Sequence, residues 1–288
     1  NENPNEEKIK EICKRHENDE QEKKIKDIQL VSQDEKEAFD KSHENQSHTY
    51  IYKMTFYDIH QKYIEKPSFR LDSKTQINKK NRNIVKGIFK GNKKCIRVSY
   101  SGNIKIFLQQ VRFYATNQYP SIIQFFGYNI EKENQHIFLE YKEKGTLKDF
   151  IKEGNKIDLT HKLIIAYGIA CAMNYLHNNG IIHRYLKPSN IYLDSNLYPY
   201  LSNYYRSRHT QIQFPYQLKY MSLKYGPPEF LTDYQNNQNS IYLDIYSYGM
   251  VFYYLITEKE PLYAYPKSHE DLIEDIKNGL HPEFSKSF

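Results

Sequence analysis

Apolar and polar residues alternate along 83–89 and again along 94–100, either side of Gly91 and Asn92, and this period of two around turn residues predicts a β-hairpin. The period then changes. Within 102–116 the apolar positions Ile106, Phe107, Val111 and Tyr114 recur at helical spacing, and the segment ends before Pro120. Short apolar runs at 122–128 and 136–140 predict two more strands. The second half reads as helical. A short helix is expected over 147–153 with Thr146 as its cap, then a long apolar helix over 160–178 with Thr160 at its start and Gly180 after its end. Asp244, Tyr246, Ser247 and Gly249 open a buried helix, and 270–278 has the pattern of an amphipathic one.

Composition separates what precedes. Residues 1–67 are rich in Glu, Lys, Asp, Asn and Gln, with apolar side chains thinly placed at Ile9, Ile12, Ile25, Ile28 and Val31. That stripe is interrupted and falls short of the three or four heptads of a coiled coil, so the segment reads as a charged, partly helical and partly disordered extension. The whole chain has 288 residues and 39% hydrophobic residues, enough for a sizeable core. Its formal charge of +6 is modest, and Lys and Glu interleave through the extension, so no basic block points to a nucleic-acid partner. The longest apolar run, 250–256, is far shorter than the about 20 residues of a membrane span, and no basic-then-apolar signal opens the chain. Cys13, Cys95 and Cys171 are an odd number at wide spacing, without a disulfide or metal framework, which fits a reducing, cytoplasmic location. The chain opens on Asn1 rather than methionine, and an upstream segment is expected.

The chemistry concentrates in residues 180–205, GIIHRYLKPSNIYLDSNLYPYLSNYY. His183, Arg184, Leu186, Lys187, Pro188 and Asn190 fit the pattern H-R-D-L-x-x-x-N, and Asn203, Tyr204 and Tyr205 stand where D-F-G follows it. Downstream, Pro227, Pro228 and Glu229 are similar to A-P-E. These landmarks occur in family order and spacing, and residues 68–288 thereby resemble a eukaryotic protein kinase domain. The loop run Lys187–Asn190 and the Gly145, Thr146, Leu147 run resemble the tyrosine-kinase-like serine/threonine group. The resemblance implies an α+β, two-lobed fold, with a β-rich small lobe at 68–142 and a helical large lobe at 143–288. Because kinases carry further helices beyond this point, the large lobe is expected to be truncated.

What the resemblance implies for the site is a loss of charge. In the family the first Asp of the pattern accepts the substrate hydroxyl proton, while the Asn and the D-F-G Asp hold magnesium. Tyr185 stands in the base position. A phenol with a pKa of about 10 is protonated at neutral pH and accepts protons far more weakly than a carboxylate. Asn190 and Asn203 offer a hard cation only neutral oxygens, so both are expected to be weak metal ligands. Arg97 takes the place of the small-lobe lysine and Gln110 that of its glutamate, so the family's ion pair is lost and a hydrogen bond between Gln110 and Arg97 is expected instead. The phosphate loop carries Ile77, Lys79 and Arg82 at its glycine positions. Glu140 and Lys142 mark the hinge, and Tyr192 lies at the floor of the adenine site, where its ring would partly fill the cavity. Tyr114, Phe125, His183, Tyr204 and Asp244 fall where kinases stack the residues that join the lobes. Arg184 is kept, and in the family such an arginine pairs with a phosphorylated residue of the activation segment, for which Thr210, Tyr216 and Tyr220 are candidates.

The resemblance therefore implies a pseudokinase, a signalling scaffold or allosteric regulator whose partners are other signalling proteins, among them an active kinase. No cofactor is expected to bind tightly. Two alternatives stand beside it: an active serine/threonine kinase using ATP and magnesium through an atypical site, and a nucleotide-responsive binding module.

Overall fold

The computed structural model describes residues 70–71, 84–89, 92–101, 103–130, 135–210, 222, 224–232, 240–262 and 268–283. The charged extension and the phosphate-loop positions Ile77, Lys79 and Arg82 lie outside the described residues, as do Tyr216 and Tyr220.

The alternating segments form the small lobe. Strands β1 (Arg70–Leu71), β2 (Ile84–Phe89), β3 (Lys93–Tyr100), β4 (Phe125–Ile130) and β5 (Gln135–Glu140) make an antiparallel sheet in the order β1-β2-β3-β5-β4. The β2–β3 hairpin turns at Asn92, whose φ of 62° is one that Asn tolerates better than most side chains. Phe89, Cys95 and Phe138 are buried together on one face of the sheet, with the Phe126 ring stacked on Phe89. Helix α1 (Ile104–Thr116) packs against the sheet, burying Phe107, Leu108, Val111 and Tyr114. These lie at i, i+1, i+4 and i+7, the stripe of an amphipathic helix.

The large lobe opens with β6 (Gly145–Thr146) and α2 (Leu147–Lys152), capped as expected: the Thr146 hydroxyl accepts the Asp149 amide at 3.1 Å. The long helix α3 (Leu159–Asn178) starts one residue before its predicted position. Its cap is Asp158, whose carboxylate accepts the His161 amide at 3.0 Å, and Thr160 lies inside the first turn. Both residue types cap helices, and the one whose oxygen reaches the first free amides takes the role. Buried Ile165, Ile169, Ala172 and Leu176 of α3 pack toward α5 (Tyr242–Thr257), which buries Leu243, Val251 and Leu255. After α3 the chain turns at Gly180 with φ +69°, where an added Cβ would meet the His209 ring at 3.0 Å. It then runs through β7 (Ile181–Ile182), β8 (Ile191–Leu193), β9 (Pro199–Leu201) and β10 (Arg208–His209). Strands β6, β8 and β9 form one small sheet, and β7 pairs with β10. Helices α4 (Pro228–Thr232) and α6 (His269–Lys277) complete the lobe, α6 behind a capping box at Ser268 and Asp271. No described helix is long and apolar enough to cross a membrane.

Candidate functional site

The loop between β7 and β8 is held from below by one carboxylate. Asp244, in the first turn of α5 and 1% exposed, accepts the Arg184 amide at 2.7 Å on Oδ1 and the His183 amide at 2.8 Å on Oδ2. His177 Nε2 lies 3.0 Å from the same Oδ2. The loop needs such an anchor because Arg184 has φ 61°, a left-handed backbone disfavoured for a residue with a side chain. The Arg184 guanidinium carbon sits 5.7 Å over the Phe230 ring.

Above this anchor, rings cross from one lobe to the other. His183 meets Tyr204 edge-on at 5.5 Å, Tyr204 meets Tyr114 of α1 edge-on at 4.8 Å, and Tyr114 stacks on Phe125 of β4 at 5.9 Å. The five positions expected to join the lobes thus lie in one column. The column also carries polar ties, since the Tyr114 hydroxyl lies 2.9 Å from Ser202 Oγ and accepts the Asn203 amide at 2.7 Å. Burial pushes the Tyr114 phenol up to about 12 and lowers His183 below its usual value, against the Asp244 charge that raises it.

At the mouth of the loop, Tyr185 and Lys187 meet. Lys187 Nζ donates to the Tyr185 hydroxyl at 2.8 Å and lies 4.0 Å from its ring centre, and the Arg206 guanidinium carbon lies 4.6 Å from that centre. Burial raises the Tyr185 phenol, but the Lys187 hydrogen bond and the charges of Lys187 and Arg206 outweigh it, holding the phenol below its ordinary value. The expectation of an unperturbed phenol is corrected by these two cations. Asn190 Nδ2 donates to the Tyr185 carbonyl at 2.6 Å, and Asn203 Nδ2 donates to Asn190 Oδ1 at 3.1 Å. Asn203 has φ 71° and ψ 71°, and its own Oδ1 accepts the Tyr205 amide at 3.4 Å.

Residues 75–284 match the protein kinase domain. The chain belongs to the protein kinase family. Its kinase domain is similar to a probable leucine-rich-repeat receptor-like serine/threonine kinase, RPK1, of Arabidopsis thaliana, at 31% identity over 161 residues, 54% of this chain and 29% of that protein. It is also similar to calmodulin-binding receptor-like cytoplasmic kinase 2 of the same plant, at 29% identity over 54% of this chain and 40% of that protein. Human mitogen-activated protein kinase kinase kinase 4 matches at 27% identity over 56% of this chain and 10% of that protein. The chain spans well under half the length of these relatives, whose matches are those of a tyrosine-kinase-like kinase domain.

Within the kinase domain the structure brings Tyr185, Lys187, Asn190 and Asn203 together, and leaves the hinge and small-lobe positions in separate contacts. Arg97 lies in β3 opposite Val85 and Phe138. Gln110 is fully buried, and its Oε1 accepts the Tyr100 hydroxyl at 3.2 Å, so Tyr100 takes the partnership that the sequence reading assigned to Arg97. Tyr100 also stacks on Tyr205 at 6.3 Å. Burial raises the Tyr100 phenol well above its ordinary value, with Tyr114 and Tyr192 near enough to raise it further. Tyr192 itself is raised, first by burial. At the hinge, Lys142 is 5% exposed, pairs with Glu140 at 2.8 Å and lies 3.2 Å from the Tyr200 ring centre. Thr210 follows β10, its amide donating to the Gly180 carbonyl at 2.7 Å. Two site residues had no signal in the sequence. Arg206, in the 3₁₀ turn 204–206, becomes a neighbour of Tyr185 only through the fold, and Tyr100 gives no hint of Gln110 until the fold brings β3 and α1 together.

Proposed function

We propose that this kinase domain is a pseudokinase that works as a signalling scaffold or allosteric regulator through its folded surface rather than by phosphotransfer. One observation carries the reading: Asn203 donates its amide to Asn190 Oδ1 at 3.1 Å, joining the two positions between which the family holds magnesium. The residues present do not fit that ion. A hard divalent cation prefers charged carboxylate oxygens, and both side chains are neutral amides with one carbonyl already accepting from the other. The base position supports the same reading, because Tyr185 accepts from Lys187 rather than standing free to receive a substrate proton. Losing a positioned base alone typically lowers a rate by roughly 10² to 10⁴. Nucleotide phosphates also lose the family's lysine and glutamate pair at Arg97 and Gln110.

The test is radiolabelled phosphate transfer by the purified chain to generic protein substrates, with thermal shift on ATP in the presence and absence of magnesium. No transfer and no magnesium-dependent shift are expected. Transfer that disappears in Asn190→Ala overturns the reading. The second reading, an active serine/threonine kinase, draws on one observation: Lys187 and Arg206 beside the Tyr185 hydroxyl favour its phenolate, so more of it is deprotonated at a given pH than of an ordinary tyrosine. Transfer that Tyr185→Phe abolishes would favour it.

A further inference from the structure

Helices α3 and α5 pack side by side and run in opposite directions. Lys162, near the start of α3, donates to the Ile256 carbonyl near the end of α5 at 3.1 Å, and His177, near the end of α3, meets Asp244 near the start of α5. Midway, Tyr248 reaches over from α5 and donates its hydroxyl to the Ala166 carbonyl at 3.1 Å, with the Phe252 ring stacked on Tyr248 at 6.5 Å. Beside this seam both helices turn apolar side chains outward. Leu159, Leu163 and Tyr167 lie at i, i+4 and i+8 of α3, Tyr242 and Ile245 lie on α5, and each of the five is more than half exposed. Gly249, one turn beyond Ile245, leaves open space where a Cβ would stand. The sequence gives this face no charge: neither 163–178 nor 245–257 contains Lys, Arg, Asp or Glu, and Asp244 is turned inward to the His183 loop. Lys162, the neighbour of Leu163 in sequence, is engaged by Glu258 at 3.1 Å.

Helices of globular proteins place charged and polar residues toward water, and a contiguous apolar face marks an interaction site. A tyrosine side chain spans about 150–250 Å², so Tyr167 and Tyr242, at 74% and 67% exposure, together offer roughly 200–350 Å². The three aliphatic chains enlarge the face to the about 300–600 Å² of the largest patches that single chains show. Thr160 and Asn174 are exposed beside it. An apolar centre of that area inside a polar rim is the anatomy of a protein interface, whose standard size is about 800 Å² from each partner. The missing charge selects the occupant. A membrane surface is met through Lys and Arg, and an acidic or basic partner through the opposite charge, and this face carries neither. Two copies related by a two-fold axis set the same surface against itself, which a charged face resists by repulsion and this one permits. We propose that the α3–α5 face is the contact by which two copies of this chain form a symmetric dimer. The contact involves no group of the phosphotransfer site, so it stands apart from the pseudokinase reading.

The experiment is sedimentation velocity of the purified whole chain, from submicromolar concentration to about 100 µM. The mass should rise from that of one chain to that of two and go no further, and raising the salt from about 0.1 to 1 M should leave the association intact, because no charge pair holds it. Tyr167→Glu on α3 and Ile245→Lys on α5 each set a charge into an apolar contact that meets its own copy, and each should raise the dissociation constant at least about tenfold. Both side chains point outward, circular dichroism melts show that each variant folds, and either one decides the matter if the other does not fold. Ile88→Glu, at an exposed apolar position of β2 in the small lobe, should leave the dimer unchanged. A single-chain mass at every concentration overturns the proposal. So does a dimer that both charge substitutions leave intact, an equal loss from Ile88→Glu, growth into species larger than a dimer, or capture by lipid vesicles in place of dimer formation. Phosphotransfer in the same preparation bears on the pseudokinase reading alone.

Discussion

Replacing Asp244 by alanine removes one carboxylate and strands the amides of His183 and Arg184, which it accepts at 2.8 and 2.7 Å. Both residues are buried, at 0% and 3% exposure, so water has no ready route to the vacated positions. A buried donor deprived of its acceptor costs about 1–3 kcal/mol, which places the two amides together at roughly 2–6 kcal/mol. That is a large part of the about 5–15 kcal/mol by which domains are stable. The left-handed backbone of Arg184 adds to the loss, because the bond that helps hold it is one of the two removed. At about 2–4 °C per kcal/mol for a domain of this size, the melting temperature should fall by roughly 10 °C. Asp244→Asn keeps the shape and one acceptor oxygen but turns an NH₂ toward a donor, so its loss should lie between alanine and parent. Thermal melts followed by circular dichroism, with urea unfolding as a second measure, read the effect. An alanine variant melting within about 2 °C of the parent would refute the anchor role.

Restoring chemistry should take several substitutions at once, since groups that act as a unit are strongly non-additive. Tyr185→Asp alone should give almost no phosphotransfer, and activity should rise only when Asn203→Asp, Arg97→Lys and Gln110→Glu are added; robust turnover from Tyr185→Asp alone would contradict the site reading. In an alkaline titration followed by phenolate absorbance, the Tyr185 phenol should ionise below its ordinary value, and that step should vanish in Tyr185→Phe. Its lowered pKa adds stability as pH rises through the folded value, fully present above about 10, whereas the Tyr114 phenol, raised to about 12, contributes stability that is complete below about 10 and lost as pH climbs toward 12. Superimposable titration curves for parent and Tyr185→Phe would count against the Lys187 and Arg206 effect. Tyr204→Phe should raise the unfolding free energy by about 1 kcal/mol, because the Tyr204 hydroxyl is buried and has no hydrogen-bond partner among the described residues; a clear loss of stability in urea would show that the hydroxyl is satisfied.

The elements that the pattern predicted are present because each depends on local periodicity: the 84–100 hairpin, the α1 stripe and the buried helix α5 follow from which residues share a face. Their ends depend on which side chain reaches a free amide, and so Asp158 rather than Thr160 caps α3. Motif spacing likewise put Tyr185, Lys187, Asn190 and Asn203 in one neighbourhood. It could not state their partners. The Asn190–Asn203 bond, the Lys187 and Arg206 cations around Tyr185, and the Tyr100–Gln110 bond all join residues brought together by tertiary packing, and spacing along a chain carries no such distances.

The ring column from Phe125 through Tyr114 and Tyr204 to His183, fixed below by Asp244, has a consequence for how the molecule opens. Aromatic contacts alone would let one lobe slide over the other, but the Tyr114 hydroxyl is tied to Ser202 and to the Asn203 amide, so sliding breaks directional bonds as well as contacts. The small-lobe sheet and helix α5, which carries Asp244, should therefore open together as one cooperative unit, and their backbone amides should exchange with deuterium at a shared, slow rate. Tyr114→Phe keeps the ring and cuts the ties, and it should split that single exchange behaviour into two.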